Sequence, residues 1–177
     1  MDIQLRTARA DDAEAITALV NRAYRGDSGR QGWTTESDLL DGTRISLDTV
    51  HALLAAQDCR ILVAEAEGRL LACAELRPEG ELLYLGMLTV SPELQGQGIG
   101  TRLMAAAEDH ARALGLRGLV MTVISRRHEL IAWYARLGFR PTGETRPFDF
   151  GDASFGIPRL PLEFAVLEKP LADDPTL

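Results

Sequence analysis

The sequence predicts an α/β fold built on one mixed, mostly antiparallel sheet, and three observations carry that prediction. Two apolar stretches, 60–66 and 69–77, meet at the turn Glu67-Gly68-Arg69, and a third, 82–90, follows the turn Pro78-Glu79-Gly80. Tight turns of this kind join antiparallel neighbours. The third stretch, LLYLGMLTV, is so continuously apolar that both its faces must be covered, as in a central strand. It leads through a helical pattern to another buried run, 118–123, and a strand-helix-strand connection of that length is a right-handed crossover with parallel pairing.

The remaining elements follow in order. Residues 3–8 alternate Ile3, Leu5 and Thr7 against polar partners and run into Asp11-Asp12-Ala13-Glu14, a helix start; Ala15, Ile16, Leu19, Val20 and Ala23 then form one helical stripe ending near Tyr24. Residues 25–45 hold Gly26, Gly29, Gly32 and Gly42 around Trp33-Thr34-Thr35-Glu36 and read as a functional loop with a short helix. Ser46 caps a helix bearing Val50, Leu53 and Leu54. Leu103, Met104, Ala107, Ala111 and Leu114 line a helix closed by Gly115, and Leu130, Ile131, Tyr134 and Leu137 line another over 128–137, closed by Gly138. A last strand is expected at 162–168, whose exposed edge can support a homodimer. Residues 1–171 are expected to form a single domain, with 172–177 as a flexible tail.

Composition narrows the function classes. Apolar residues make up 46% and charged residues 25% of 177, the profile of a globular chain. With 19 Lys and Arg against 26 Asp and Glu, the formal charge of -7 disfavours nucleic acid and anionic membranes as partners. No apolar run approaches the ~18 residues of a membrane span, and the opening MDIQLRTARADDAE lacks a signal-peptide layout, so a cytoplasmic, unprocessed chain is expected. Cys59 and Cys73 lie in apolar segments and read as buried reduced thiols. His51, His110 and His128 have no ligand spacing, so no metal is proposed, and Ser125 with His128 lacks the partners hydrolase chemistry needs.

The segment after the central strand carries the chemistry. Gln95-Gly96-Gln97-Gly98-Ile99-Gly100-Thr101 places glycines at the entry of a helix, where main-chain N–H groups point outward beside the positive end of the helix dipole. Such a turn attracts phosphate. It is neither of two familiar phosphate loops: GxxxxGK[ST] lacks its lysine here, and GxGxxG counted from Gly96 meets Thr101 where the last glycine belongs.

The spacing Gln95-x-x-Gly98-x-Gly100, preceded by LTVSPEL and followed by a helix, resembles the acyl-CoA signature Q/R-x-x-G-x-G/A of the GNAT superfamily of N-acetyltransferases, and Tyr134-Ala135-Arg136-Leu137-Gly138-Phe139 resembles that family's second motif. The resemblance spans roughly residues 3–168, with its motifs in 82–139. It implies a sheet in which strand 82–90 is bulged and splays from strand 118–123, with Gly86 where a bulge is useful. It implies acetyl-CoA as cosubstrate, with pantetheine along the main chain of Leu88, Thr89 and Val90 and the pyrophosphate on N–H groups of Gln95, Gly96, Gln97, Gly98, Ile99, Gly100 and Thr101. The family often has Asn where Arg127 stands; Arg127 can approach a CoA phosphate or form a solvated pair with Arg126.

Acetyl transfer from a thioester to an amine needs a neutral nucleophile, an oxyanion donor and a proton for the departing thiolate. By the resemblance, the Leu88 main chain serves as donor and Tyr134 as the acid; read plainly, Tyr134 is a core aromatic beside Leu130, Ile131 and Leu137. The position of the family's glutamate base falls on Tyr84, which leaves Glu75 or Glu81 as candidate bases. Tyr24, Trp33 and Glu36 are candidate acceptor contacts, alternatively a hydrophobic pin and a helix-start charge. The expected activity is transfer of acetyl to a primary amine of a small molecule or to an exposed amino group, by direct attack in a ternary complex. The alternatives are a noncatalytic acyl-CoA binding or sensing domain and, more remotely, a partner-binding domain without CoA.

Overall fold

Alternation along the strands sets the architecture. The computed structural model describes residues 2–24, 40–41, 45–147, 157–158 and 163–171. Strand β1 (Gln4–Thr7) passes through one 3-10 turn into α1 (Ala13–Tyr24). After β2 (Leu40–Asp41) come α2 (Leu47–Ala55), β3 (Arg60–Ala66), β4 (Arg69–Glu79) and β5 (Leu82–Val90). Then follow α3 (Ile99–Ala113), β6 (Gly118–Ile124), α4 (His128–Arg136), β7 (Arg140–Pro147), β8 (Ile157–Pro158) and β9 (Glu163–Pro170). The main sheet has the order β1-β3-β4-β5-β6-β9-β7, and β2 pairs separately with β8. All its neighbours are antiparallel except β5 and β6, so the sheet is mixed as expected.

Successive side chains on a strand face opposite sides, and helices cover both. Leu62, Ala64, Leu83, Leu85 and Leu88 pack with Ile99, Leu103, Met104 and Ala107 of α3. Ile61, Val63, Cys73 and Met87 pack with Ile16, Leu19, Val20 and Val50 of α1 and α2. Ser46 caps α2 as read from the sequence, its hydroxyl accepting from the Thr49 N–H at 3.1 Å. An ion-pair cluster pins β1: Arg6 donates to both Asp12 carboxylate oxygens, at 2.8 and 3.0 Å, and to Glu65 at 2.9 Å. Among the described residues no helix is long and apolar enough to cross a membrane.

Two expectations are corrected. The strand at 163–170 is not an edge: it lies between β6 and β7, so the dimer edge assigned to it does not exist. The edge there is β7, absent from the sequence reading because RPTGETRP has neither apolar alternation nor a β-rich composition. An outermost strand pairs on one side only and tolerates proline and polar residues.

The central irregularity is in β5. Cys73 pairs with Thr89 but Glu75 pairs with Gly86, so β5 carries one extra residue there. The bulge centres on Met87, whose φ of 54° is left-handed, and not on Gly86, where the sequence placed it. Beside it the β5–β6 register runs only from Leu82↔Gly118 to Tyr84↔Val120, while β6 stays with β9 as far as Ile124↔Phe164. The two parallel strands therefore part beyond Tyr84.

Candidate active site

The bulge is held from inside. The fully buried Thr89 hydroxyl donates to the Met87 carbonyl at 2.9 Å, and the buried Cys73 thiol contacts the same oxygen at 3.8 Å. Burial, with a smaller contribution from the Glu75 charge, pushes the Cys73 thiol up to about 12, so it stays protonated at neutral pH. The extra residue sends Met87 into the core under α1 and α2 and Leu88 into the core under α3. It thereby turns Leu88 toward the gap between β5 and β6.

Two cavities open along that gap. One, of about 340 Å3, is lined by Val90, Gln95, Gly96, Gly98, Ile99, Gly100, Thr101 and Trp133. The other, of about 350 Å3, is lined by Glu75, Arg77, Glu79, Tyr84, Gly86, Arg127 and Arg146 among apolar residues. Leu88, Leu130 and Tyr134 line both.

The glycine turn shapes the first cavity. Gly96 and Gly98 have φ of 84° and 83°, and a methyl at either would meet no atom within 4 Å, so conformation and not crowding requires glycine there. Gly98 is the N-cap residue of α3, whose first turn holds no acidic side chain. At Gly100 an added methyl would sit 3.6 Å from Trp133 and Val90, an ordinary contact. Gln95 turns back, its Nε2 donating to the Val90 carbonyl at 3.1 Å, which ties the turn to the end of β5. Arg22 of α1 donates to the Ser91 hydroxyl at 2.6 Å on the same loop. Of the expected cofactor residues, Leu88, Val90, Gln95, Gly96, Gly98, Ile99, Gly100 and Thr101 line the cavity, whereas Gln97 is exposed off it and Thr89 is buried beneath it.

Tyr134 is 4% exposed and packs edge-on to Trp133 and Phe139, with ring centroids 5.0 and 5.7 Å away. It is both the core aromatic and the wall between the cavities, so the two readings of its sequence position are compatible. Glu75 is 8% exposed and faces the second cavity together with Tyr84. Gly86 explains their proximity: a Cβ there would stand 3.0 Å from a Glu75 carboxylate oxygen and 2.6 Å from the Tyr84 ring. The glycine makes room for these two side chains. Glu81, the other candidate base, pairs with Arg117 at 2.9 Å and is largely exposed away from both cavities.

Arg127, read from the sequence either as a CoA phosphate contact or as half of a solvated pair with Arg126, lines the second cavity and not the glycine-turn cavity. Arg77 and Glu79 share the Glu75 face of β4 at a spacing of two, a signal available in the strand alternation. Arg146 lies on the polar edge strand and had no such signal. Trp33 and Glu36 lie outside the described residues, and Tyr24 ends α1.

The family described as "Acetyltransferase (GNAT) family" matches residues 13–139. The chain belongs to it. Proteins named amino-acid acetyltransferase, from Pseudomonas aeruginosa and Pseudomonas syringae pv. syringae, are 35% and 36% identical to this chain over 86 residues, 48% of its length. The match covers only 19% of those relatives' length. Among solved structures, an N-acetyltransferase from Staphylococcus aureus Mu50 superposes with a TM-score of 0.72 at 16% identity, covering 96% of this chain and 98% of that one. A putative acetyltransferase from Salmonella typhimurium, solved with its cofactor acetyl-CoA, gives 0.68 at 23% identity, covering 98% and 96%. At these identities the structural likeness speaks to the GNAT fold.

Proposed function

We propose that this GNAT chain transfers the acetyl group of acetyl-CoA to a primary amine by direct attack within a ternary complex. The observation that carries the reading is the meeting of two cavities at Leu88, Leu130 and Tyr134. One has the features of a diphosphate seat and the other holds a carboxylate and a phenol, so the groups that must react are brought to one wall.

Acetyl-CoA supplies the activated acyl group and the thiolate leaving group. The main chain of residues 95–101 grips the diphosphate, since left-handed glycines and the start of a 15-residue helix without acidic residues in its first turn suit an anion. The main chain of Leu88 and Val90 receives the pantetheine arm along the strand that has parted from β6. Glu75 takes the proton of the incoming ammonium, directly or through water, with Tyr84 alongside to orient the amine. The amine lone pair forms the C–N bond, Tyr134 gives its hydroxyl proton to the sulfur as the C–S bond breaks, and the second proton shed by the amide nitrogen passes through water to restore the Tyr134 phenol. The acceptor is a small molecule or an exposed amino group, and the cytoplasm is the compartment where this cosubstrate meets it.

Thiol release measured across a panel of amines, paired with calorimetric titration of acetyl-CoA, tests this reading. Turnover with at least one amine is expected. Binding of acetyl-CoA with no thiol release for any amine would make the chain a noncatalytic acyl-CoA binding domain.

A further inference from the structure

The charge around the acceptor cavity is unlike the charge of the chain. The whole sequence carries a formal charge of -7, yet among the described residues this cavity is lined by three arginines, Arg77, Arg127 and Arg146, against two glutamates, Glu75 and Glu79. The phosphates of CoA do not account for them, because among the described residues the glycine-turn cavity has no charged side chain in its lining and the arginines line the other cavity. A simple amine or a polycation does not account for them either, since each would be repelled by a basic excess.

Their placement divides the cavity into two ends. Glu75 and Tyr84 belong to the β4–β5 arm, at the bulge. Arg127 and Arg146 belong to the other arm: the Arg127 N–H donates to the Ile124 carbonyl at 2.9 Å, Ile124 pairs with Phe164, and Phe164 pairs with Arg146. Two strand spacings, about 10 Å, thus separate the backbones that carry them. Arg77 is engaged with Tyr84, its guanidinium 4.9 Å from the ring centroid. Arg146 meets Glu79 and Glu144 only at 3.6 Å each, with all three side chains more than a third exposed, loose pairs that a better carboxylate can replace. A guanidinium is suited to bidentate recognition of a carboxylate.

We infer that the acceptor is an amine that also bears a carboxylate, with its amino group toward Glu75 and Tyr84 and its carboxylate received by Arg127 and Arg146. This rests on the acetyl-transfer reading above and adds the substrate class.

The test measures kcat/KM by thiol release with the full chain and acetyl-CoA. Each of a panel of amino acids is compared with its carboxamide and its decarboxylated amine, with spermidine as a polycation. The carboxylate member should be preferred by about tenfold or more. Arg127→Met and Arg146→Met should each collapse that preference while calorimetric affinity for acetyl-CoA stays within about twofold, because neither residue lines the CoA cavity. Equal or better turnover of the carboxamide, the decarboxylated amine or spermidine overturns the inference and leaves acetyl transfer standing. Acetyl-CoA binding without thiol release for any amine overturns both. If a variant fails to fold, the matched-pair ratio of the unaltered chain decides alone.

Discussion

Replacing Thr89 by valine removes one hydroxyl from the floor of the bulge and leaves its shape nearly unchanged. That hydroxyl is the 2.9 Å partner of the Met87 carbonyl, in a residue with no exposed surface, and the Cys73 thiol at 3.8 Å is a weak substitute. A buried carbonyl that loses its partner costs about 1–3 kcal/mol. The left-handed turn at Met87, with φ of 54°, already costs about 1–2 kcal/mol and persists only while its surroundings hold it. Thr89→Val should therefore lower stability by about 1–3 kcal/mol, a fall in Tm of roughly 2–10 °C for a chain of this size. Relaxation of the extra residue would shift the register of β5 and turn Leu88 off the wall that both cavities share. The assay pairs thermal melting with thiol-release kinetics: Thr89→Val should lose kcat in proportion beyond any rise in KM, and Thr89→Ser, which keeps the hydroxyl, should recover most of both. A Thr89→Val protein that melts with the parent and turns over at the parental kcat would refute the role given to this bond.

Three other perturbations have definite directions. Gly98→Ala should cost about 1–2 kcal/mol because φ is 83°, whereas Gly100→Ala should be neutral or gain up to about 1 kcal/mol because its methyl meets only ordinary contacts inside a helix; urea denaturation that reverses this order counts against the geometry of the turn. Tyr134→Phe should lower kcat by about tenfold or more with calorimetric acetyl-CoA affinity unchanged, and an unchanged kcat removes the phenol from the chemistry. Arg6→Met should destabilise the fold near neutral pH. The Arg6 hydrogen bond holds the Asp12 carboxyl below its ordinary range, so its stabilisation is present above the ordinary carboxylate pKa of about 4 and is lost as pH falls through the lowered value. Denaturation midpoints of variant and parent should converge toward pH 2, and a gap that stays constant with pH would contradict the assignment.

What could be read in the sequence is what local pattern encodes. The apolar run 82–90 matched β5 residue for residue, Ser46 capped α2, and the glycines at 96 and 98 marked a turn that only left-handed backbone can make. Tyr134, which lines both cavities, stood out because a motif fixed its distance from Gly138 and Phe139. What stayed hidden depends on partners far along the chain. The bulge at Met87 is a mismatch between β4 and β5, set by Thr89 and Cys73 reaching one carbonyl, and a methionine in left-handed conformation has no sequence signature. Gly86, noticed as a break in the strand, proved to make room for Tyr84 and Glu75, a cross-strand relation visible only once Glu75 was placed opposite it. Arg127 and Arg146 gain meaning from β9, which passes between their elements and brings both to the cavity that holds Glu75 and Tyr84.

Main-chain amides of residues 95–101 are proposed to hold the diphosphate of coenzyme A. Calorimetric titration of the full chain with CoA and, separately, with pantetheine, which lacks the diphosphate, tests this proposal most directly. CoA should bind, and pantetheine should bind at least about tenfold more weakly. Equal affinity for the two compounds, or no heat from CoA at millimolar concentration, would contradict it.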